Sequence, residues 1–250
     1  MLATDLLVPI VAVIFVFLAA IVRGYSGFGF SLLAITSVSL VYAPATVIPA
    51  VFMMEIAASI HMLPGVWKDV HWRSLAPLIA GTTAGLPFGA YALANVPVPP
   101  MKVALAIFVI TAAILLWQGF SLKTIPNRIA TFVVGVAAGI ANGAFGIGGP
   151  PVILFYFASP AGNAVGRASL IAYFLVTDLI GLGVLGANGI LSVTNVKLAL
   201  LFLPALLAGV WLGARSFKSA DPATFRKAVL AILMLLAVLT AAQGLIALIQ

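Results

Sequence analysis

The chain has no cysteine, two histidines and five acidic residues in 250 positions. Without cysteine there are no disulfides, thiolate metal sites or thiol chemistry. His61 stands near the end of an apolar run and His71 in a polar interruption beside Trp67 and Trp72, so both read as interfacial residues and not as a metal pair. No Ser/His/Asp set and no metal-ligand cluster is present, so the pattern supports no enzyme and implies no metal or cofactor. Charge of either sign is equally scarce: 7% of residues are charged, against about 25% in soluble domains.

What fills the space is hydrocarbon. Hydrophobic residues make up 64% of the chain and mean hydropathy is +1.28. No soluble fold hides that much apolar surface, so the solvent is lipid. The net charge of +7 does not indicate nucleic acid, because the twelve Lys and Arg are scattered singly between apolar runs. The N-terminal "MLATDLLVPIVAVIFVFLAAIV" lacks the basic start of a signal peptide and reads as a retained span.

Apolar runs fall at 5–22, 28–43, 45–63, 75–94 and 101–119, then at 129–142, 146–158, 165–187, 195–214 and 225–249. The two sets resemble each other. "AGLPFGA" (84–90) matches "AGVWLGA" (208–214). Lys102, Ala106, Ile107, Gln118 and Gly119 align with Lys227, Ala231, Ile232, Gln243 and Gly244. "RGYSGFG" (23–29) aligns with "NGAFGIG" (142–148), and Glu55 with Asp178. The pattern predicts an all-α polytopic membrane protein of eight to ten hydrophobic segments, built from two homologous repeats, 1–120 and 121–250.

If each half crosses an odd number of times, Arg23, Lys68, Arg73, Lys123, Arg128, Arg167, Arg215, Lys218, Arg226 and Lys227 share one side, opposed only by Lys102 and Lys197. An even count gives no bias. The bias therefore favours inverted repeats, with both termini on the periplasmic side. The first two segments of each half form a broken or re-entrant helix pair, since 28–43 and 146–158 are short for a span.

The breaks carry the chemistry. "GAFGIGGPP" (143–151) is no phosphate loop: no strand precedes it and no Gly-Lys-Ser/Thr follows. Small residues let helices approach, which explains the ladders Gly81, Gly85, Gly89 and Gly135, Gly139, Gly143, whether within the chain or in a homodimer. The Gly-Gly-Pro-Pro run is different, because its prolines remove backbone donors and unwind the helix. Unwound backbone at membrane depth survives where it is buried in protein or lines a wet cavity. It exposes helix N-termini that attract anions. Two opposed breaks would then hold an anion between them; the alternative is a purely structural break. Arg23, Ser26, Ser31 and Asn142 lie beside the breaks. Arg23 contacts the anion if the segments are re-entrant, and is a cytoplasmic flank if they cross fully.

Glu55 and Asp178 each sit near the centre of an apolar run. Ionisable groups at that depth mark ion pathways or proton relays; the alternative is a neutral acid hydrogen-bonded to a neighbouring helix.

"RGYSGFGFSLLAI", "GIANGAFGIGGPPVILFYF" and the two-repeat helical layout resemble the sulfite exporter TauE/SafE family, also called the 4-toluene sulfonate uptake permeases. The resemblance covers essentially the whole chain. It implies a bacterial inner-membrane secondary carrier for small sulfur-containing anions such as sulfite, sulfoacetate or other organosulfonates. It places Gly27, Gly29, Gly146, Gly148, Gly149 and Pro150 at the binding site, and it implies about eight spans. It chooses neither the anion nor the direction. The expectation is thus a secondary transporter of a small anion, with protons as candidate coupling ion through Glu55 and Asp178. An anion channel and a non-transporting membrane subunit remain the rivals.

Overall fold

The computed structural model describes residues 2–118, 127–158, 163–216 and 222–249. The junction at 120/121 and the cations Lys123 and Lys218 lie outside them. Among the described residues ten α-helices follow one another: α1 (Leu2–Ser26), α2 (Phe30–Val38), α3 (Pro44–Met62), α4 (Trp72–Asn95), α5 (Val98–Trp117), α6 (Arg128–Phe145), α7 (Gly149–Ala158), α8 (Asn163–Ala187), α9 (Val193–Ser216) and α10 (Pro222–Ile249). Two 3-10 turns, Leu63–Gly65 and Trp67–Asp69, join α3 to α4, and the described residues contain no strand.

The chain is an all-α, multi-pass membrane protein. Among the described residues, six helical stretches are long and apolar enough to cross a bilayer: Pro9–Ser26, Pro44–Gly65, Val98–Leu115, Arg128–Phe145, Ala164–Ala187 and Val193–Arg215. Large apolar side chains such as Phe88, Ile129 and Val193 face outward, and the interior is apolar as well. That two-sided hydrophobicity suits a lipid solvent.

Close backbone approach sets the packing. Gly81, Gly85 and Gly89 stack on one face of α4, and a Cβ on any of them would overlap a carbonyl of α6: Phe132, Val136 or Ile140 respectively. The reverse holds for Gly135, Gly139 and Gly143 against Leu78, Thr82 and Leu86. The two ladders interlock, so they serve internal packing and are not what a homodimer would use. Because the contacts advance together, α4 and α6 run the same way. The pair α1 and α9 repeats this arrangement, with Gly24 on Val210 and Gly213 on Ile21. By contrast, the first turns of α5 meet the last turns of α10: Lys102 Nζ donates to Gln243 Oε1 at 3.4 Å, and Gly244 lies against Pro99 and Val103.

The helices α2 and α7 have 9 and 10 residues, only about 14–15 Å at 1.5 Å per residue, while the hydrocarbon core is about 30 Å thick. Ser31, at the start of α2, meets Glu55 of α3. Val38, at its end, lines the same small apolar cavity as Val16 of α1 and Val47 of α3. So α2 turns back alongside both neighbours, and its first residues lie deep inside the protein.

Both long helices before the breaks end alike. The Gly27 N–H donates to the Arg23 carbonyl, and the Gly146 N–H to the Asn142 carbonyl, each at 2.8 Å. Gly27 has φ 80° and Gly146 φ 66°, the left-handed C-cap conformation in which glycine carries no Cβ penalty. The break after α6 is therefore made by Gly146. Pro150 and Pro151 do not unwind anything: they occupy the first turn of α7, where a missing N–H costs no helical bond.

Candidate functional site

The first break is a charged cluster. Arg23, three residues before the end of α1, is fully buried within the protein. Its Nη2 forms an ion pair with Glu55 Oε2 at 2.9 Å and donates to Ser59 Oγ at 2.8 Å. Its Nη1 donates to the Gly27 carbonyl at 2.6 Å. The guanidinium stands over the Phe174 ring of α8, 4.8 Å from its centroid, a favourable cation–π distance. The other carboxylate oxygen, Glu55 Oε1, accepts from Ser31 Oγ at 2.7 Å and from the Ser31 N–H at 3.3 Å. Ser31 lies in the first turn of α2, where backbone N–H groups have no helical acceptor. A cation, a hydroxyl and a helix-terminal amide thus converge on one carboxylate.

The second break is neutral by comparison. Asn142, three residues before the end of α6, accepts the Gly148 N–H on Oδ1 at 3.1 Å and donates from Nδ2 to Asp178 Oδ1 at 3.4 Å. Asp178 Oδ2 is buried without a hydrogen-bond partner. The Arg23 guanidinium stands over Phe174, one turn before Asp178 on α8, so the two clusters adjoin. Asn142 and Asp178 are each 1% exposed. Burial of all these groups makes the arrangement an occluded one.

The remaining expected site residues make local contacts around the breaks. The Ser26 hydroxyl is shared between the carbonyls of Val22 and Phe28, at 2.7 and 2.8 Å. Gly29 precedes α2 as its N-cap. Gly149 lies against Phe174 and Ile153, while Gly146 abuts Ile35 and Ile48 of the first half. Pro150 starts α7.

Other residues join the site without having been anticipated. Arg167 of α8 donates from Nη2 to the Gly24 carbonyl at 3.1 Å, and its Cγ fills the space where a Gly27 Cβ would lie. Ser59 and Phe174 each sit four residues from a carboxylate, one turn away on the same face. A polar line also runs inward from the α3–α4 connection. His71 Nδ1 and Ser74 Oγ lie 2.8 Å apart, and Ser74 Oγ and Tyr156 OH 3.0 Å. Further on, Tyr173 OH and Thr82 Oγ1 lie 2.8 Å apart. Among the described residues, no group of three or more His, Cys, Asp or Glu could hold a metal ion.

Comparison with known proteins agrees with this architecture. A probable sulfite/organosulfonate exporter TauE of Cupriavidus necator is 28% identical over 216 residues, covering 83% of each chain. No solved structure matches. The family model for the sulfite exporter TauE/SafE matches residues 12–240, and the chain therefore belongs to that family, whose members are transporters and not enzymes.

Proposed function

We propose that this protein is a secondary carrier that moves sulfite or an organosulfonate across a bacterial inner membrane by alternating access. The observation that carries the reading is the convergence of Arg23, the Ser31 hydroxyl and the first-turn amide of α2 on a single carboxylate buried inside the protein. Those are the donors that a sulfite or sulfonate group needs: a guanidinium matches an oxyanion bidentately, and a helix N-terminus adds amides and a positive dipole end. Glu55 and Asp178 are the groups through which protons would be coupled to anion movement.

The repeat arrangement belongs to this proposal. The halves 1–120 and 121–250 are read as inverted copies with periplasmic termini. Three observations support that reading: the shared capping of α1 and α6 at Gly27 and Gly146, the exchanged pairs α1 with α9 and α4 with α6, and the start-to-end meeting of α5 and α10. Inverted repeats that place broken helices near the midplane are a recurring transporter architecture.

Reconstitution into liposomes tests the function. Sulfite and sulfonates should move, carboxylates of similar size should move more slowly, and an imposed pH gradient should change the sulfonate rate. Flux that shows no saturation and exceeds carrier rates would mean a channel; absence of flux under every gradient would point to a non-transporting subunit.

A further inference from the structure

The seat just described is already occupied. In the position an anionic substrate would take, Glu55 accepts from Ser31 Oγ and the Ser31 N–H on one oxygen and pairs with Arg23 on the other. Arg23 Nε, fully buried, has no hydrogen-bond partner, so the guanidinium retains a donor beyond those the resident carboxylate uses. The second break offers no such seat. Its Gly148 amide is taken by the neutral Asn142 side chain, and Asn142 brings no positive charge.

We propose that Glu55 is an internal stand-in for the substrate: anion and Glu55 carboxylate are mutually exclusive ligands of Arg23 and Ser31, and Glu55 takes up a proton when the anion displaces it. This rests on the anion seat proposed above.

The charge count gives the reason. Arg23 pairs with Glu55, and its guanidinium stands over Phe174, one turn before Asp178 on α8. Arg167, on α8, also interacts with Arg23 and sits at the edge of the break. Of the other elements packed on α3, α2 presents only the uncharged Ser31. Lys102 on α5 bonds Gln243, and Arg215 on α9 stacks on Trp211. Among the described residues Arg73 of α4 and Lys197 of α9 form no ion pair with Glu55. An arriving sulfonate would put a further negative charge against the same arginine, and an unpaired charge at that depth is costly. One proton on Glu55 removes the excess, and the loaded seat then carries the same charge as the resting one.

The test uses methanesulfonate, whose own charge is constant across the pH range in which sulfite titrates. Calorimetry on the detergent-solubilised protein, in buffers of different protonation enthalpy, counts protons directly. Wild-type protein should take up one proton per anion bound, and its affinity should rise about tenfold for each unit fall in pH over the range in which that proton is taken up. Glu55→Gln should bind with no proton uptake and no pH slope, at least as tightly as wild type at the lowest pH. Binding by wild type without proton uptake overturns the inference alone, and needs no variant. A pH slope retained by folded Glu55→Gln also overturns it, as does loss of its binding. If neither protein binds methanesulfonate at any pH, the anion seat itself is wrong and the inference falls with it.

Discussion

At the end of α1 the chain breaks after an arginine met by a glutamate; at the end of α6 it breaks after an asparagine met by an aspartate. The backbones are alike. Each long helix is closed by a glycine four residues on, in the left-handed region, and each is followed by a helix too short to span. The side chains differ in charge, and that difference gives the two breaks different work. One break has a full positive charge paired with the Glu55 carboxylate; the other has an amide that satisfies its own backbone and leaves Asp178 with an unpartnered oxygen. A pair of breaks that share a backbone need not form two equal jaws.

The comparison is most sharply broken by removing one acid at a time. Glu55→Ala leaves Arg23 buried without its counterion, and an arginine cannot neutralise itself by losing a proton. Removing one partner of a buried pair typically costs about 3–5 kcal/mol, which thermal unfolding in detergent should show as a large loss. Asp178→Asn replaces a buried carboxyl that no cation pairs directly and keeps an acceptor for Asn142. It should cost under about 1 kcal/mol, or stabilise, since unpaired buried charge is what proteins avoid. Equal losses in the two variants would mean that the halves are electrostatically equivalent and the asymmetry is wrong.

Much of the fold was legible because lipid imposes a simple code. The run at 45–63 became α3 (Pro44–Met62), and the run at 101–119 became α5 (Val98–Trp117). The glycine ladders also found each other, since spacing of four puts glycines on one face wherever the helix lies. Depth was not legible. Whether Arg23 flanks the membrane or lies inside depends on α2 turning back and on an acid 32 positions later, 55 minus 23. Hydropathy windows see neither. Ser59 escaped notice because serines in apolar helices commonly bond their own backbone, yet its place one turn beyond Glu55 was a usable signal. The same spacing links Phe174 to Asp178.

The prolines of α7 give the smallest and most discriminating expectation. From sequence, Pro150 and Pro151 look like the cause of the second break, and a proline within a helix costs about 3 kcal/mol or more. If they caused it, replacing one should let α6 and α7 merge and change the protein strongly. In the structure the break lies upstream, at Gly146, and both prolines fall in the first turn of α7. Their fixed φ suits a helix start, and their effect is largely to restrict the unfolded chain. Pro151→Ala should therefore lower stability by only about 0.4–1 kcal/mol, with anion binding retained. The companion change, Gly146→Ala, puts a Cβ on a residue with φ 66° and against Ile35 and Ile48. It should cost more than the proline does, because left-handed backbone alone penalises an L-residue by about 1–2 kcal/mol. Unfolding midpoints of the two variants, measured side by side, decide which residue makes the break: a larger loss at Pro151 than at Gly146 would return that role to the prolines.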